Sequence, residues 1–269
     1  MTPWYIFALH DLDPLLNAWT YWLVGFAFAV LVFTYFTRPR RIYLVRHSET
    51  EANAKRIRQG EAGSLSEAGR IQAKAVGEYL AQFPIRSIIS SPYPRAVETA
   101  VLINERLKVP LIYSPLLVER RNPSAVVGKQ DEDPAVLKVI DHIDRSYHKD
   151  DYRYSDEENF ADLKGRARRC LSLLAHQGSH DVCAVTHGIF LKMLIAYLFF
   201  REDLHANDYA KLSFFNVSDN AGIVICEYNP RRMFSATRGW SVIEYNVTPY
   251  EGGRGGFGSA VPRIPAPIS

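Results

Sequence analysis

Short apolar runs alternate along this chain with amphipathic stretches, after one long apolar stretch near its start. Residues 42–45 are four apolar, partly β-branched positions between charged flanks, which predicts a buried strand. Runs at 85–89, 109–113 and 181–186 repeat that form, 212–217 and 222–228 read as a hairpin pair around Ser218, and 240–247 reads as a last strand. Helical spacing fills the gaps. Ser66 is a predicted N-cap, followed by a stripe of Ile71, Ala75, Val76, Tyr79, Leu80 and Phe83 that Pro84 ends. A second helix carries Arg95 and runs to about Lys108, and Asp133-Pro134 opens another, to about Tyr147. Ser155 and Glu158 form a capping-box pattern opening a helix through Phe160, Leu163, Ala167 and Leu171 to His176. The run 189–200 is too short to span a bilayer and reads as a core helix. The two helices between 134 and 176 form an insertion expected to cover one edge of an α/β domain.

The long apolar stretch differs in kind. No charged residue lies between Asp13 and Arg38, and residues 19–36 are almost wholly apolar. At about 1.5 Å per residue such a helix crosses the roughly 30 Å hydrocarbon core of a bilayer. Trp19, Tyr21 and Trp22 at one end and Tyr35 at the other suit the two interfaces. Asp11 and Asp13 precede the stretch while Arg38, Arg40 and Arg41 follow it, which places the C-terminal side in the cytoplasm by the positive-inside rule. A cleaved signal peptide would need a basic start and a small-residue cleavage site, and neither pattern is present. A soluble helix without a polar face would need a large partner surface. The expected organisation is an arm over 1–18, a transmembrane helix over 19–37, a catalytic domain over 40–247 and a disordered Gly/Pro-rich tail over 248–269.

Composition narrows the function. A net charge of +3 over 269 residues, without basic clusters interleaved with aromatic residues, argues against nucleic acid and leaves small anions compatible. The three cysteines, Cys170, Cys183 and Cys226, are odd in number and widely spaced, so neither a disulfide framework nor a zinc site is indicated. His176 and His180 straddle a Gly-Ser helix end, and His142 and His148 sit on a polar face, so no metal set is expected from them.

Chemistry gathers where the strands end. Arg46 and His47 follow the first, Ser90-Ser91-Pro92 and Arg95 follow the second, and Thr186-His187-Gly188 follows a later one. In open α/β sheets, ligands bind outside the carboxyl ends of the strands. Two arginines and two histidines delivered to one such edge suit a phosphate dianion and a nucleophile.

These motifs, in order and spacing, resemble the histidine phosphatase superfamily, branch 1, the phosphoglycerate-mutase-like family. The resemblance covers roughly residues 41–246. It rests on Arg46-His47 with Glu49, Thr50 and Asn53, on Arg58-Gln59-Gly60, on residues 65–70, on Ser90-Ser91-Pro92 with Arg95 and Glu98-Thr99-Ala100, on Glu119, and on Thr186-His187-Gly188. It implies a three-layer α/β/α sandwich with a mostly parallel central sheet, here preceded by one transmembrane helix.

The resemblance further implies that His47 attacks phosphorus and carries it as a phosphohistidine that water discharges, with no metal and no cofactor. Arg46, Arg95 and His187 then surround the phosphate oxygens, Glu119 supplies the proton to the leaving group, and Asn53 and Gln59 take neutral phosphate-pocket positions. The expected partner is a small phosphorylated substrate or a phosphoprotein, besides the membrane. Two departures stand out: Ser48 replaces the usual glycine after the nucleophile, and the residues after Glu119 match neither the phosphatase nor the mutase pattern. Arg58-Gln59-Gly60 favours a phosphatase, which leaves mutase-type transfer and a tethered binding protein with an impaired site as the alternatives.

Overall fold

The computed structural model describes residues 13–146, 149–215 and 218–250. Helix α1, Asp13–Phe36, leads through a short link into strand β1, Arg40–Arg46. Helices α2, Glu51–Ala54, and α3, Glu67–Leu80, are followed by β2, Ile85–Ser90, then α4, Pro94–Leu107, and β3, Leu111–Tyr113. Helices α5, Pro134–Arg145, and α6, Phe160–Ala175, form the insertion before β4, Asp181–Thr186. The described chain closes with α7, Gly188–Phe200, α8, Ala206–Phe215, β5, Ile223–Tyr228, and β6, Trp240–Val247.

The strands form one sheet in the order β3-β2-β4-β1-β5-β6. Strands β3, β2, β4 and β1 are parallel neighbours, and β5 and β6 add an antiparallel edge. Side chains alternate across a strand, so β1 divides its apolar residues between two layers. Ile42 and Leu44 join a core with Leu171 and Leu174 of α6 and Phe190, Leu191 and Leu194 of α7. Tyr43 and Val45 join a second core with Val76 and Leu80 of α3 and Ala96, Ala100 and Ile103 of α4. A strand buried on both faces must read as continuously apolar, which is why 42–45 carries no polar position. This is the three-layer α/β/α arrangement, with a mostly parallel sheet, that the motifs led one to expect.

Several elements differ from the sequence reading. Residues 212–215 are the end of helix α8, not a strand; Asp150 caps that helix from a distant part of the chain by accepting from the Ala206 N–H at 2.9 Å. Strand β5 therefore pairs with β1 and β6. Helix α6 starts at Asn159, which forms a reciprocal capping box with Asp162, while the Ser155 N–H is taken by the Glu157 side chain. On α3 the buried face is Ala73, Val76, Gly77 and Leu80, and Ile71 is exposed. Tyr250 packs against the second core and its hydroxyl donates to the Asn220 carbonyl, so the expected tail cannot begin at 248. The proposed N-terminal arm up to residue 12, His148 and the Gly/Pro-rich segment from 251 lie outside the described residues.

Candidate active site

His47 directly follows β1, and its backbone is fixed from two sides. Its N–H donates to the Thr186 carbonyl at 2.8 Å, and its own carbonyl accepts from Ala221 at 3.2 Å. The ring is 4% exposed, and its Nδ1 lies 2.8 Å from the Ser48 carbonyl oxygen. A carbonyl only accepts, so Nδ1 carries the proton in a neutral ring and Nε2 holds a free lone pair. Burial, then the positive charges of Arg46 and Arg95, hold His47 well below the usual histidine range. The ring is therefore neutral at neutral pH.

His187 ends β4 and occupies the N-cap position of α7 without using its side chain as a cap. Its ring centroid is 5.1 Å from that of His47. Burial first, and then the nearby positive charges, also hold it well below the usual range. Its Nε2 lies 2.8 Å from the Ser91 hydroxyl, and that hydroxyl accepts from the Tyr93 N–H at 3.2 Å. The hydroxyl has one proton and a second lone pair, so it pairs with either tautomer of the ring. The His187 Nδ1 is buried and has no partner among the described residues.

Arg46 and Arg95 complete the cluster. The Arg95 guanidinium is anchored by the carbonyls of Gly60, Glu61 and Ala62 at 2.9, 3.2 and 3.3 Å, and Arg46 donates to the Ser218 carbonyl. Gly188 leaves room for Arg46 at the start of α7, where a Cβ would stand 3.2 Å from its Nε. The Nε of each arginine is buried without a partner among the described residues, as is the Ser48 hydroxyl. Burial lowers the pKa of both guanidiniums, while the charge of Glu119 raises it, so Glu119 acts on both. The site is a buried concentration of positive charge and unpaired polar atoms beside one neutral imidazole.

Glu119 follows a 3-10 turn at Pro115–Leu117 and meets the N-terminus of α7. Its Oε1 accepts from Phe190 at 3.0 Å and Arg120 at 2.8 Å, and its Oε2 accepts from Ile189 at 3.1 Å. The carboxylate thus caps the helix that begins beside His187, where the helix dipole favours negative charge. Asn53 and Gln59 are not tied to the histidines by any such contact. The Asn53 side-chain oxygen accepts from Thr50 at 2.9 Å, and the buried Gln59 Oε1 lies against Gly63, beside the loop that anchors Arg95.

Other motif residues build the frame. Thr99 accepts from the Ser48 N–H at 3.0 Å and donates to the Arg95 carbonyl at 2.7 Å, linking the segments that carry His47 and Arg95. Ser66 caps α3 and donates to the Glu49 carboxylate at 2.7 Å, while Glu98 receives the Leu65 N–H and the Arg70 guanidinium. Ser91 belongs to a motif that the sequence singled out, whereas Arg166 is a residue that sequence reasoning missed. Arg166 is 7% exposed, pairs with Glu158 at 2.7 Å, stacks 3.9 Å over Phe190 and donates to the carbonyls of Leu116 and Val118, just before Glu119. Its signal was an arginine on the apolar face of α6, among Leu163, Ala167 and Cys170.

Comparison with known proteins agrees with this arrangement. Residues 42–240 match the model of the histidine phosphatase superfamily (branch 1). The chain is 30% identical over 166 residues to the "Probable phosphoglycerate mutase" of Enterobacter sp. (strain 638), covering 58% of this chain and 73% of that one. It is 27% identical over 164 residues to a "Broad-specificity phosphatase" of Saccharomyces cerevisiae, covering 59% of this chain and 70% of that one. The structure of a mycobacterial glucosyl-3-phosphoglycerate phosphatase superposes with a TM-score of 0.60 at 25% identity, over 78% of this chain and all of that one. With its sheet, its strand-end histidines and its matched span all of one kind, this chain belongs to the histidine phosphatase superfamily, branch 1, whose matched members are named phosphatases and phosphoglycerate mutases.

Proposed function

We propose that this protein hydrolyses small phosphomonoesters through a phosphohistidine on His47, from a catalytic domain held at the cytoplasmic face of a membrane by α1. The observation that carries the reading is the set of buried polar atoms without partners among the described residues, Arg46 Nε, Arg95 Nε, His187 Nδ1 and the Ser48 hydroxyl, beside a neutral imidazole. Unmet buried donors are costly, and an anion with several acceptor oxygens satisfies them.

In this reading the His47 Nε2 lone pair attacks phosphorus, the P–N bond forms and the bond to the leaving oxygen breaks. Arg46, Arg95 and His187 stabilise the peripheral oxygens as charge shifts. Glu119, in its acid form, gives its proton to the leaving alkoxide. Water then attacks the phosphohistidine, returns a proton to Glu119 and frees His47. Asn53, on α2, and Gln59, in the segment after it, are assigned to substrate positioning. The positive charge comes from side chains, and the reading assigns no metal or cofactor.

The fold also bears on which substrates reach the site. Helix α1 joins the chain just before β1 begins, and His47 follows its other end. Seven residues at about 3.3 Å each put roughly 20 Å between the helix exit and the nucleophile. A site on the far edge of the sheet faces the aqueous side, which favours a soluble phosphate ester over a lipid headgroup. The residues of α1 from Trp19 to Phe36 are all exposed, as a membrane span requires.

The test is hydrolysis of p-nitrophenyl phosphate by the detergent-solubilised full chain in EDTA, with His47→Ala in parallel. Turnover lost in the variant supports the reading; turnover that survives it contradicts the role of His47. Mutase-type transfer is the second reading, favoured by the Enterobacter relative's name. Interconversion of phosphoglycerates that depends on added bisphosphoglycerate would establish it instead.

A further inference from the structure

Around the exit of α1 lies a surface that catalysis does not use. Of the three arginines that follow the helix, Arg40 is not available to a membrane: it is 5% exposed, donates to the Ala175 carbonyl and lies 4.9 Å from the Tyr228 ring. Another part of the chain supplies basic residues in its place. The link between β5 and β6, residues 229–239, carries Arg231, Arg232 and Arg238 and no acidic residue. It begins with a 3-10 turn at Pro230–Arg232, and the Arg231 Nε donates to the Thr37 hydroxyl at 3.1 Å, directly at the end of α1. Residues 231–236 are all exposed, including Met233 at 52% and Phe234 at 95%. The end of α7 adds exposed Phe199 and Phe200, and Arg201 donates from there to the Thr237 carbonyl of the same link.

An apolar tip flanked by arginines, held by hydrogen bond to the end of an apolar helix, has the chemistry of an interfacial membrane contact: aromatic and thioether groups among the acyl chains, guanidiniums at anionic headgroups. Topology agrees, because β5 runs antiparallel to β1 and so delivers this link to the edge where α1 ends, opposite His47. We propose that the β5–β6 link is a second membrane contact, in which Phe234 and Met233 enter the interface of an anionic bilayer while Arg231, Arg232 and Arg238 bind its headgroups. This holds the catalytic domain in one orientation, with the site turned away from the lipid. The proposal rests on the reading of α1 as a membrane anchor.

The test places an environment-sensitive fluorophore on single cysteines introduced into the full chain, reconstituted in vesicles of phosphatidylcholine and phosphatidylserine with spin-labelled lipid as quencher. The native cysteines are buried, with thiol pKa values pushed up to about 12 by burial, so labelling is confined to the introduced site. Gly25→Cys reports the helix, Phe234→Cys the link, and Lys138→Cys, on the insertion, the distal face. The expected result is strong quenching at 25 and 234 and several-fold less at 138, with the signal at 234 falling when phosphatidylserine is omitted or when Arg231→Gln and Arg232→Gln are combined. Quenching at 25 with a label at 234 as unquenched as 138 overturns the link contact and leaves the anchor standing. A label at 25 that is not quenched overturns both.

Discussion

The His47 Nδ1 and the Ser48 carbonyl oxygen, 2.8 Å apart, determine which nitrogen of the histidine keeps a free lone pair. The partner is main chain, so serine performs the task that the usual glycine would. Ser48 is not among the described residues with positive φ, so its Cβ adds no backbone strain. Its buried hydroxyl adds a donor beside the nucleophile. We expect Ser48→Gly to fold and to raise KM for phosphate esters by about three- to tenfold, the value of one hydrogen bond, with a smaller effect on kcat. Steady-state kinetics checks this; an unchanged KM would show that the hydroxyl does not meet the substrate.

Acid should destabilise the ligand-free protein. His47 and His187 have folded pKa values well below 6.5, so the unfolded chain binds more protons than the native one in the window below that value. Stability is complete above pH 6.5 and is lost as the pH falls. Between pH 6.5 and 5.5 the loss is up to about 1 kcal/mol per histidine. Urea melts at the two pH values measure it, and removing one proton uptake in His187→Gln should about halve the difference.

Arg166, which is buried, pairs with half-buried Glu158 beneath the segment that presents Glu119. Removing one partner of a fully buried pair costs about 3–5 kcal/mol, which is the upper bound here. Arg166→Met is therefore expected to be strongly destabilised, and Arg166→Lys to retain the fold but lower kcat more than it alters KM, because the loop before Glu119 loses its forked donor. Denaturant melts and steady-state kinetics on the two variants separate these effects.

At Gly69 an added Cβ would stand 2.0 Å from the Glu49 carbonyl oxygen, which is backbone and cannot swing aside. Gly69→Ala should cost about 1–3 kcal/mol by forcing α3 off the nucleophile loop. A lowered melting midpoint checks this, and an unaltered one would mean the loop yields freely.

What the sequence disclosed, and what it withheld, follows from how local each signal is. Strands β1 and β4 were legible because burial on both faces demands an unbroken apolar run, and His47, Arg95 and His187 were legible because they stand where such runs end. Helix α8 was misread as a strand because its start is capped by Asp150, far away in the chain, while its last residues carry a β-like pattern. Glu119 was found by its motif, but its place at the N-terminus of α7 was not, since that contact joins residues about seventy positions apart. Ser91 was legible as part of a motif but its contact with His187 was not, and the contacts of Arg166 with the segment before Glu119 join positions about fifty residues apart. After α1, Arg40 and Arg41 are adjacent in sequence, yet alternation across β1 buries one and exposes the other.

The most direct measurement is rapid-quench trapping of the enzyme during turnover of a phosphomonoester, with the modified residue located by mass spectrometry under alkaline conditions that preserve phosphohistidine. Phosphate on His47, absent from His47→Ala and accumulating when Glu119→Gln slows one of the two proton steps, is the predicted result. Steady turnover with no phosphate on His47 at any quench time, or undiminished turnover by His47→Ala, would contradict the account.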